Sequence, residues 1–163
     1  KQQKNYHLMI KSFQVLNKEF NINAHLLIVG SGPMLEDLNK YRNQLSQNKN
    51  ISFFGSINNP LPLLMDADLF LMTSKSESFG LSILEALSTG TTVVSTDCKY
   101  GPSEILGKDY KYLCDDNEND IAKKIYLAAK YPEKSIYLKN KTSKYNFDRY
   151  IDNIMEIINV SNF

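Results

Sequence analysis

Short apolar runs alternate with amphipathic segments along this chain, and that alternation constrains the fold more than any other feature of the sequence. Residues 24–29, Ala-His-Leu-Leu-Ile-Val, form a nearly continuous apolar run, which is typical of a strand buried on both faces. The segment before it repeats apolar residues at helical spacing from Leu8 to Phe20, which indicates an amphipathic helix. Strands that alternate with helices are joined by right-handed crossovers and form a parallel sheet covered on both sides. We therefore predict one α/β domain over residues 1–163.

The same patterns assign the remaining elements. Strands are predicted at 24–29, 51–55, 69–72 and 92–95, with a last edge strand at 110–113. Helices are predicted from residue 6 and at 33–45, 59–65, 80–88, 121–129, 135–144 and 150–158, with a short helix beginning at 101–103. Pro33 suits the first turn of its helix, because an N–H at that position would have no intrahelical partner.

Composition and charge exclude several classes of protein. Hydrophobic residues make up 42% of the 163 residues and charged residues 23%, so the chain can build a core and is not disordered. The 19 Lys and Arg against 18 Asp and Glu leave a formal net charge of +1. Nucleic-acid-binding proteins usually have a strong basic excess, so we expect no nucleic acid partner.

The sequence favours a reducing, aqueous location. No apolar run approaches the roughly 18 residues that a transmembrane helix needs, and no signal-peptide pattern is visible. Cys98 and Cys114 are too few for a disulfide framework. We expect a cytoplasmic protein, peripheral at the inner face of the membrane in its intact form. Because position 1 is Lys and a helix begins almost at once, we also expect the chain to start inside a longer protein.

Ligands of open α/β sheets bind at the carboxyl ends of the strands, and three loops, 30–33, 73–81 and 96–103, are predicted to lie there. The first, Gly30-Ser31-Gly32-Pro33, has two glycines of a dinucleotide-binding turn, but Leu35 stands where the third belongs. An incomplete motif is weak evidence. A tight strand-to-helix turn also explains both glycines, and we favour that interpretation.

The second loop has the richest chemistry. The amides of Phe79, Gly80 and Leu81 are predicted to begin a helix, where free N–H groups and the helix dipole favour an anion. Glu85 lies about one turn further on, and helical side chains lean toward the N-terminus, so Glu85 and Glu77 can face one cleft. Carboxylates beside a phosphate site are useful if they accept hydrogen bonds from the hydroxyls of a ribose and a sugar. Spacing alone leaves open that both are merely solvated charges.

The third loop is explained by helix capping, since Gly101-Pro102-Ser103 leads into a helix with Glu104 in its first turn. No histidine is near Cys98 in sequence, so a catalytic thiolate is not expected there. The two histidines, His7 and His25, form no cluster with metal-ligand spacing, and we expect no metal.

Taken together, these segments resemble the family-4 retaining glycosyltransferases of the GT-B type. Glu77-Ser78-Phe79-Gly80 followed by Glu85 reproduces the Glu-x7-Glu signature of that family. The match runs in order from about Lys4 to Leu113 and looks like bacterial surface-polysaccharide transferases. The other matching segments are residues 4–10, 27–33, 53–55, 67–70, 92–98 and 101–106.

The resemblance implies a Rossmann-like three-layer domain with a parallel sheet, the C-terminal half of a GT-B fold, which binds a nucleotide-sugar donor. The family residue matching Glu85 contacts the ribose, and the one matching Glu77 lies near the donor sugar. Lys4 matches the lysine that binds the diphosphate. The resemblance also places Ser78, Phe79, Gly80 and Leu81 at the sugar and pyrophosphate, Gly55 and Ile57 beside the base, and Gly32 in the Gly-x-Gly turn of the donor site.

The implied reaction is retaining transfer of a hexose, from a UDP-sugar by preference, with the leaving diphosphate stabilised by positive charge and a helix dipole. No cofactor or metal is implied. The implied partners are the nucleotide-sugar, a glycan or lipid-linked acceptor, and an N-terminal domain of the same enzyme that is absent from this chain. The usual arginine partner of Lys4 would fall just before Lys1, and we expect the isolated chain to turn over no substrate.

Two departures and two alternatives accompany this interpretation. Asn5 replaces the usual glycine after Lys4, and Ser78 stands where glycine is frequent. One alternative is a non-catalytic nucleotide-binding or regulatory α/β module. An upstream α/β half that ends in a Gly-Arg strand would favour the enzyme. The other is a response-regulator-like or flavodoxin-like domain, but residues 30–33 supply neither an acidic cluster nor a flavin loop.

Overall fold

Parallel strands alternate with helices in the computed structural model, which describes residues 2–45 and 48–145. The strands are β1 Leu26–Ile28, β2 Ile51–Phe53, β3 Leu69–Met72, β4 Thr92–Thr96 and β5 Leu113–Cys114. The helices are α1 Tyr6–Phe20, α2 Leu35–Asn43, α3 Leu61–Asp66, α4 Leu81–Thr89, α5 Pro102–Leu106, α6 Glu118–Lys130 and α7 Ser135–Thr142. Short 3-10 turns occupy Gln2–Lys4, Asn48–Asn50 and Ser143–Tyr145.

The strands form two parallel sheets. In one, β1 pairs with β2 and Leu26 lies opposite Ile51. In the other, β4 lies between β3 and β5, with Leu69 opposite Thr92 and Ser95 opposite Leu113. The predicted parallel pairing is confirmed. Among the described residues, no backbone ladder joins the three-residue strands β1 and β2 to β3.

Helices cover the three-stranded sheet, and β4 is its most protected strand. Every residue of Thr92–Thr96 is buried, as expected for a strand covered on both faces. Helix α6 packs on β3, β4 and β5 and also against α1, whereas α4 packs on β3 and β4 with α3 and α7 beside it. The predicted three-layer α/β architecture is therefore confirmed.

The last strand is later and shorter than predicted. Residues 110–113 were expected to form it, but the paired residues are Leu113 and Cys114. Tyr110 and Tyr112 are buried instead, with their rings edge to face and their centroids 5.8 Å apart. The Tyr110 hydroxyl donates to the carbonyl of Val93 at 2.9 Å, and burial raises its pKa. These two side chains therefore anchor the segment by core packing.

Other boundaries shift by one to three residues, the largest shift being the start of α6 at Glu118 and not at residue 121. The first helix begins at Tyr6 as predicted. The second begins at Leu35 and not at Pro33, because the Leu35 amide closes a turn on the Gly32 carbonyl at 3.1 Å. The helix predicted at 150–158 lies outside the described residues.

Burial along α4 predicts which of its leucines support the fold. Leu87 has no exposed surface, whereas Leu81 on the same helix is 67% exposed. Replacing a buried leucine by alanine removes apolar contact and leaves a cavity, so Leu87→Ala should lower the unfolding free energy by about 2–5 kcal/mol. Leu81→Ala should lower it by less than about 1 kcal/mol. Urea unfolding of the intact protein measures both, and equal losses would contradict this packing.

Candidate functional site

The start of the chain is seated on the carboxyl end of β3. The buried Thr73 hydroxyl lies 3.1 Å from the carbonyl of Lys4 and 3.2 Å from that of Asn5, and both carbonyls can accept its proton. Two residues further, the amide of Lys75 donates to the carbonyl of Gln3 at 2.8 Å. These bonds bring Lys4 next to residues 73–80, which we call the signature loop.

Lys4 and Glu77, two of the predicted site residues, form an ion pair. The Lys4 ammonium Nζ lies 2.6 Å from Glu77 Oε1. The Ser74 hydroxyl donates to the same oxygen, also at 2.6 Å. The Glu77 side chain is only 9% exposed, and a carboxylate so deeply placed needs partners of this kind. Neither bond uses Oε2, and an ammonium has three protons to donate, so both groups retain capacity to bind a ligand.

A second loop, residues 97–101, forms the wall beside the signature loop. The amide of Glu77 donates to the carbonyl of Lys99 at 3.3 Å, and Ser76 and Lys99 form an isolated parallel bridge. Gly101 has a φ of 90° and lies so close to the Phe79 carbonyl that a Cβ there would overlap it. The residues attributed to helix capping in the sequence therefore also hold Glu77 in place.

Helix α4 begins beside these loops. Gly80 is its N-cap, with a left-handed φ of 97°, and its first turn contains no acidic residue. Because glycine offers no capping side chain, the amide end of the helix is suited to an anion. Ser78, Phe79 and Leu81 flank it and are exposed.

Glu85 lies one turn into α4 and is half-buried. Within residues 2–45 and 48–145, no hydrogen bond or ion pair joins Glu85 to Glu77 or Lys4. That both carboxylates face one cleft therefore stays a prediction.

The glycine-rich turn after β1 is paired with the turn after β2. The amide of Gly30 donates to the carbonyl of Gly55 at 2.6 Å. A Cβ built on Gly32 or on Gly55 meets no atom within 4 Å, so both backbones face open space. Ile57 follows and is half-buried. The predicted base-binding residues are thus brought together, but on the sheet that does not carry Lys4 and Glu77.

Two cavities of about 390 Å³ each open at these strand ends. The first lies between the chain start and α2 and is lined by Gln3, Asn5, His7, Met34 and Lys75. The second lies at the ends of β3, β4 and β5, and its lining includes Lys75, Lys99, Asp97, Cys98 and Cys114.

Lys75 lines both cavities and was not among the predicted site residues. The signal that could have identified it is its position in the signature loop, where it is a cation two residues before Glu77.

The two cysteines line the second cavity as protonated thiols. Burial, followed by the negative charge of Glu77, raises the pKa of Cys98. Burial raises the pKa of Cys114 to about 12. Since the thiolate is the nucleophilic form, neither environment favours a nucleophilic cysteine, which agrees with the expectation stated for Cys98.

The part of the chain that the structure describes contains no group of three or more His, Cys, Asp or Glu side chains placed to hold a metal ion. None of its helices combines the length and apolar character needed to cross a bilayer.

Known proteins share this fold. The chain matches a variant of S. aureus TarM, solved with fondaparinux, α-GlcNAc-glycerol and UDP, with a TM-score of 0.85 and 25% identity over 96% of this chain and 33% of that one. It is 30% identical to the poly(ribitol-phosphate) α-N-acetylglucosaminyltransferase of Staphylococcus aureus over 89% of this chain and 30% of that protein. It is 28% identical to the lipopolysaccharide 1,6-galactosyltransferase of Escherichia coli, over 83% of this chain and 40% of that protein. The chain thus spans less than half the length of these relatives.

The fold is that of the GT-B glycosyltransferases. The family model for glycosyl transferases group 1 matches residues 1–145, and the chain belongs to this family. The resemblance drawn from the motifs is therefore confirmed, while the roles assigned to individual residues stay predictions.

Cys98 can report on the charge of Glu77. The Glu77→Gln substitution removes the negative charge that helps to raise the pKa of Cys98, so the thiolate fraction at pH 8 should rise. We expect faster alkylation of Cys98 by iodoacetamide, measured by peptide mass spectrometry, and no labelling of Cys114 in the folded protein. Glu19→Gln, at the far end of α1, should match the wild type. An unchanged Cys98 rate would contradict this placement of Glu77, and labelled Cys114 would show that the loops had opened.

Proposed function

We propose that this chain is the donor-binding, C-terminal domain of a retaining glycosyltransferase. The enzyme transfers a hexose from a nucleotide-sugar of the UDP class to a glycan or lipid-linked acceptor during synthesis of a bacterial surface polysaccharide. The acceptor is held mainly by an N-terminal domain that precedes this chain in the intact protein. The observation that carries the proposal is the Lys4–Glu77 pair beside the start of α4.

The Lys4–Glu77 pair is placed to stabilise a diphosphate as it leaves the sugar. As the bond between the sugar and the diphosphate breaks, negative charge grows on the phosphate oxygens. Lys4 has protons left after its bond to Glu77, and the start of α4 carries neither a capping side chain nor an acidic residue. Both are fixed donors aimed at developing charge, which is the most effective form of electrostatic catalysis. In this scheme the protein itself supplies the positive charge and needs no divalent ion.

Glu77 orients the sugar that is transferred. Its Oε1 is occupied by Lys4 and Ser74, and Oε2 can accept a hydrogen bond from a sugar hydroxyl. Because Ser74 and the Lys99 carbonyl hold both the side chain and the backbone of Glu77, the carboxylate is pre-organised. Residues 78–81 would contact the same sugar and the diphosphate.

The nucleoside part of the donor is assigned to Glu85 and to the turns that follow β1 and β2. Glu85 would accept hydrogen bonds from the two ribose hydroxyls, since one carboxylate offers two oxygens. The open backbone at Gly32, Gly55 and Ile57 would hold the base. UDP is favoured because the TarM variant of the same fold was solved with UDP, and the surface-polymer acceptors are suggested by the names of the relatives.

Loss of the Glu85 carboxylate should weaken nucleotide binding. Hydrogen bonds to a charged group contribute about 1.5–3 kcal/mol, so Glu85→Gln should raise the Kd for UDP about 10- to 100-fold in calorimetry with the intact protein. As a control, Glu19→Gln removes an exposed carboxylate near the C-terminal end of α1 and should leave the Kd for UDP unchanged. Equal affinity in wild type and Glu85→Gln would contradict the ribose assignment, and no binding of UDP, GDP or ADP by the wild type would contradict the proposed function.

Loss of Lys4 should slow the chemical step. Removing one fixed donor to a developing anion costs about 10²–10³ in kcat, so Lys4→Met should slow sugar transfer by that factor. Lys18→Met, near the far end of α1, should not. Lys4→Met also leaves Glu77 nearly buried without its cation. The double variant Lys4→Met with Glu77→Gln should therefore recover thermal stability without recovering turnover.

The stereochemistry of the product tests the retaining assignment. The anomeric configuration, read by NMR, should equal that of the donor. An inverted product would overturn the retaining mechanism, and full turnover in Lys4→Met would overturn the role of Lys4.

A further inference from the structure

Tyr100 has a backbone conformation that its residue type disfavours. Its φ is +67°, in the left-handed region. Two other non-glycine residues of the described ranges have a positive φ, and both are asparagines, Asn5 and Asn21. Asparagine tolerates this region, whereas a bulky residue such as tyrosine loses about 1–2 kcal/mol there. A tyrosine at this position therefore needs a physical reason.

The conformation is imposed from both sides of Tyr100. On one side, the carbonyl of Lys99 accepts a hydrogen bond from the amide of Glu77. On the other side, Gly101 is pressed against the Phe79 carbonyl. The backbone at position 100 is thus fixed by contacts of its two neighbours with Glu77 and Phe79, and the direction of its Cα–Cβ bond is fixed with it.

Side-chain packing does not compensate for the backbone strain at Tyr100. The Tyr100 side chain is 56% exposed. Its ring makes a cation–π contact with the Lys99 ammonium, which lies 5.1 Å from the ring centroid. Full burial of a large apolar side chain would contribute about 1.5–3 kcal/mol, but this ring is mostly in solvent. Glycine would adopt the same backbone conformation without cost. Strain that the fold does not need is typical of residues that serve a ligand.

We propose that Tyr100 is a sugar-contacting residue and that its ring packs against the apolar C–H face of a pyranose bound beside Glu77. The inference rests on the proposed function and adds to it a determinant of sugar binding. A pyranose carries hydroxyls around its edge and C–H groups on its faces. A carboxylate at the edge and an aromatic ring at the face match that chemistry, and the bond between the Glu77 amide and the Lys99 carbonyl brings the backbone next to Tyr100 against Glu77.

The test distinguishes the effect of losing the aromatic ring from the effect of relieving the backbone strain. In the intact protein, Tyr100→Gly removes the ring and relieves the backbone, whereas Tyr100→Phe keeps the ring. We expect Tyr100→Gly to melt at the wild-type temperature or above, because relief of strain offsets the added freedom of the unfolded chain. Loss of one aromatic contact should weaken sugar binding about 3- to 10-fold, and Tyr100→Phe should bind as the wild type does. Tyr131→Ala, which removes another ring that is 57% exposed, should change neither quantity.

Two measurements, the Kd of the donor and the KM of the acceptor, identify which sugar the Tyr100 ring contacts. If it is the transferred sugar, the Kd of UDP-GlcNAc or UDP-glucose should rise in Tyr100→Gly while the Kd of UDP stays constant. If it is the acceptor sugar, both Kd values should stay constant and the KM for octyl α-D-glucoside or octyl α-D-galactoside should rise. Either result supports the proposal.

Three results would overturn it. Unchanged Kd and KM values would show that the ring contacts no sugar. An equal loss of UDP and UDP-sugar affinity would show only that the loop was disturbed. A loss as large in Tyr100→Phe as in Tyr100→Gly would assign the effect to the hydroxyl. Wild-type protein that binds no nucleotide-sugar would instead contradict the proposed function, and this inference with it.

Discussion

The site depends on one constraint, the attachment of the chain start to the carboxyl end of β3. Thr73 and Lys75 bind the backbone of residues 3–5, and this attachment positions Lys4 over the signature loop. Without that cation, the nearly buried carboxylate of Glu77 would carry an uncompensated charge, which costs several kcal/mol. The contacts of Thr73 and Lys75, directly after β3, therefore determine whether an acidic residue can be accommodated at position 77.

The same constraint couples stability to chemistry. Glu77 is held by Lys4, by Ser74 and by the Lys99 carbonyl, so its side chain and backbone have little freedom. Pre-organisation of this kind is most useful where charge develops during a reaction. A structural ion pair of equal strength would need no open helix start and no unused carboxylate oxygen beside it. These two features are the ones that the proposed donor would use.

Much of the architecture could be predicted from local patterns, because burial repeats along a strand or helix with a fixed period. The strand Leu69–Met72 and the start of α1 at Tyr6 are confirmed, and the family motif identified the loop that contains Glu77. Contacts between distant segments could not be predicted in this way. Lys4 and Glu77 are 73 residues apart. Their pairing depends on the long-range bonds that hold residues 3–5 against the end of β3. The tyrosines at 110 and 112 looked like strand residues, since β-propensity does not distinguish a paired strand from a buried ring.

The division of the strands into two sheets gives the proposed donor a structural role. The turns at Gly30–Gly32 and Gly55 belong to the sheet of β1 and β2, whereas Lys4, Glu77 and α4 belong to the sheet of β3, β4 and β5. Across the described ranges, no strand ladder links the two sheets. A nucleotide-sugar whose base lies at Gly55 and whose diphosphate lies at Lys4 would contact both. Its binding energy would then be shared between holding the ligand and fixing the two sheets relative to each other. On this basis, a free base without its ribose and diphosphate should bind much more weakly than the sum of its contacts suggests, because it reaches only one sheet.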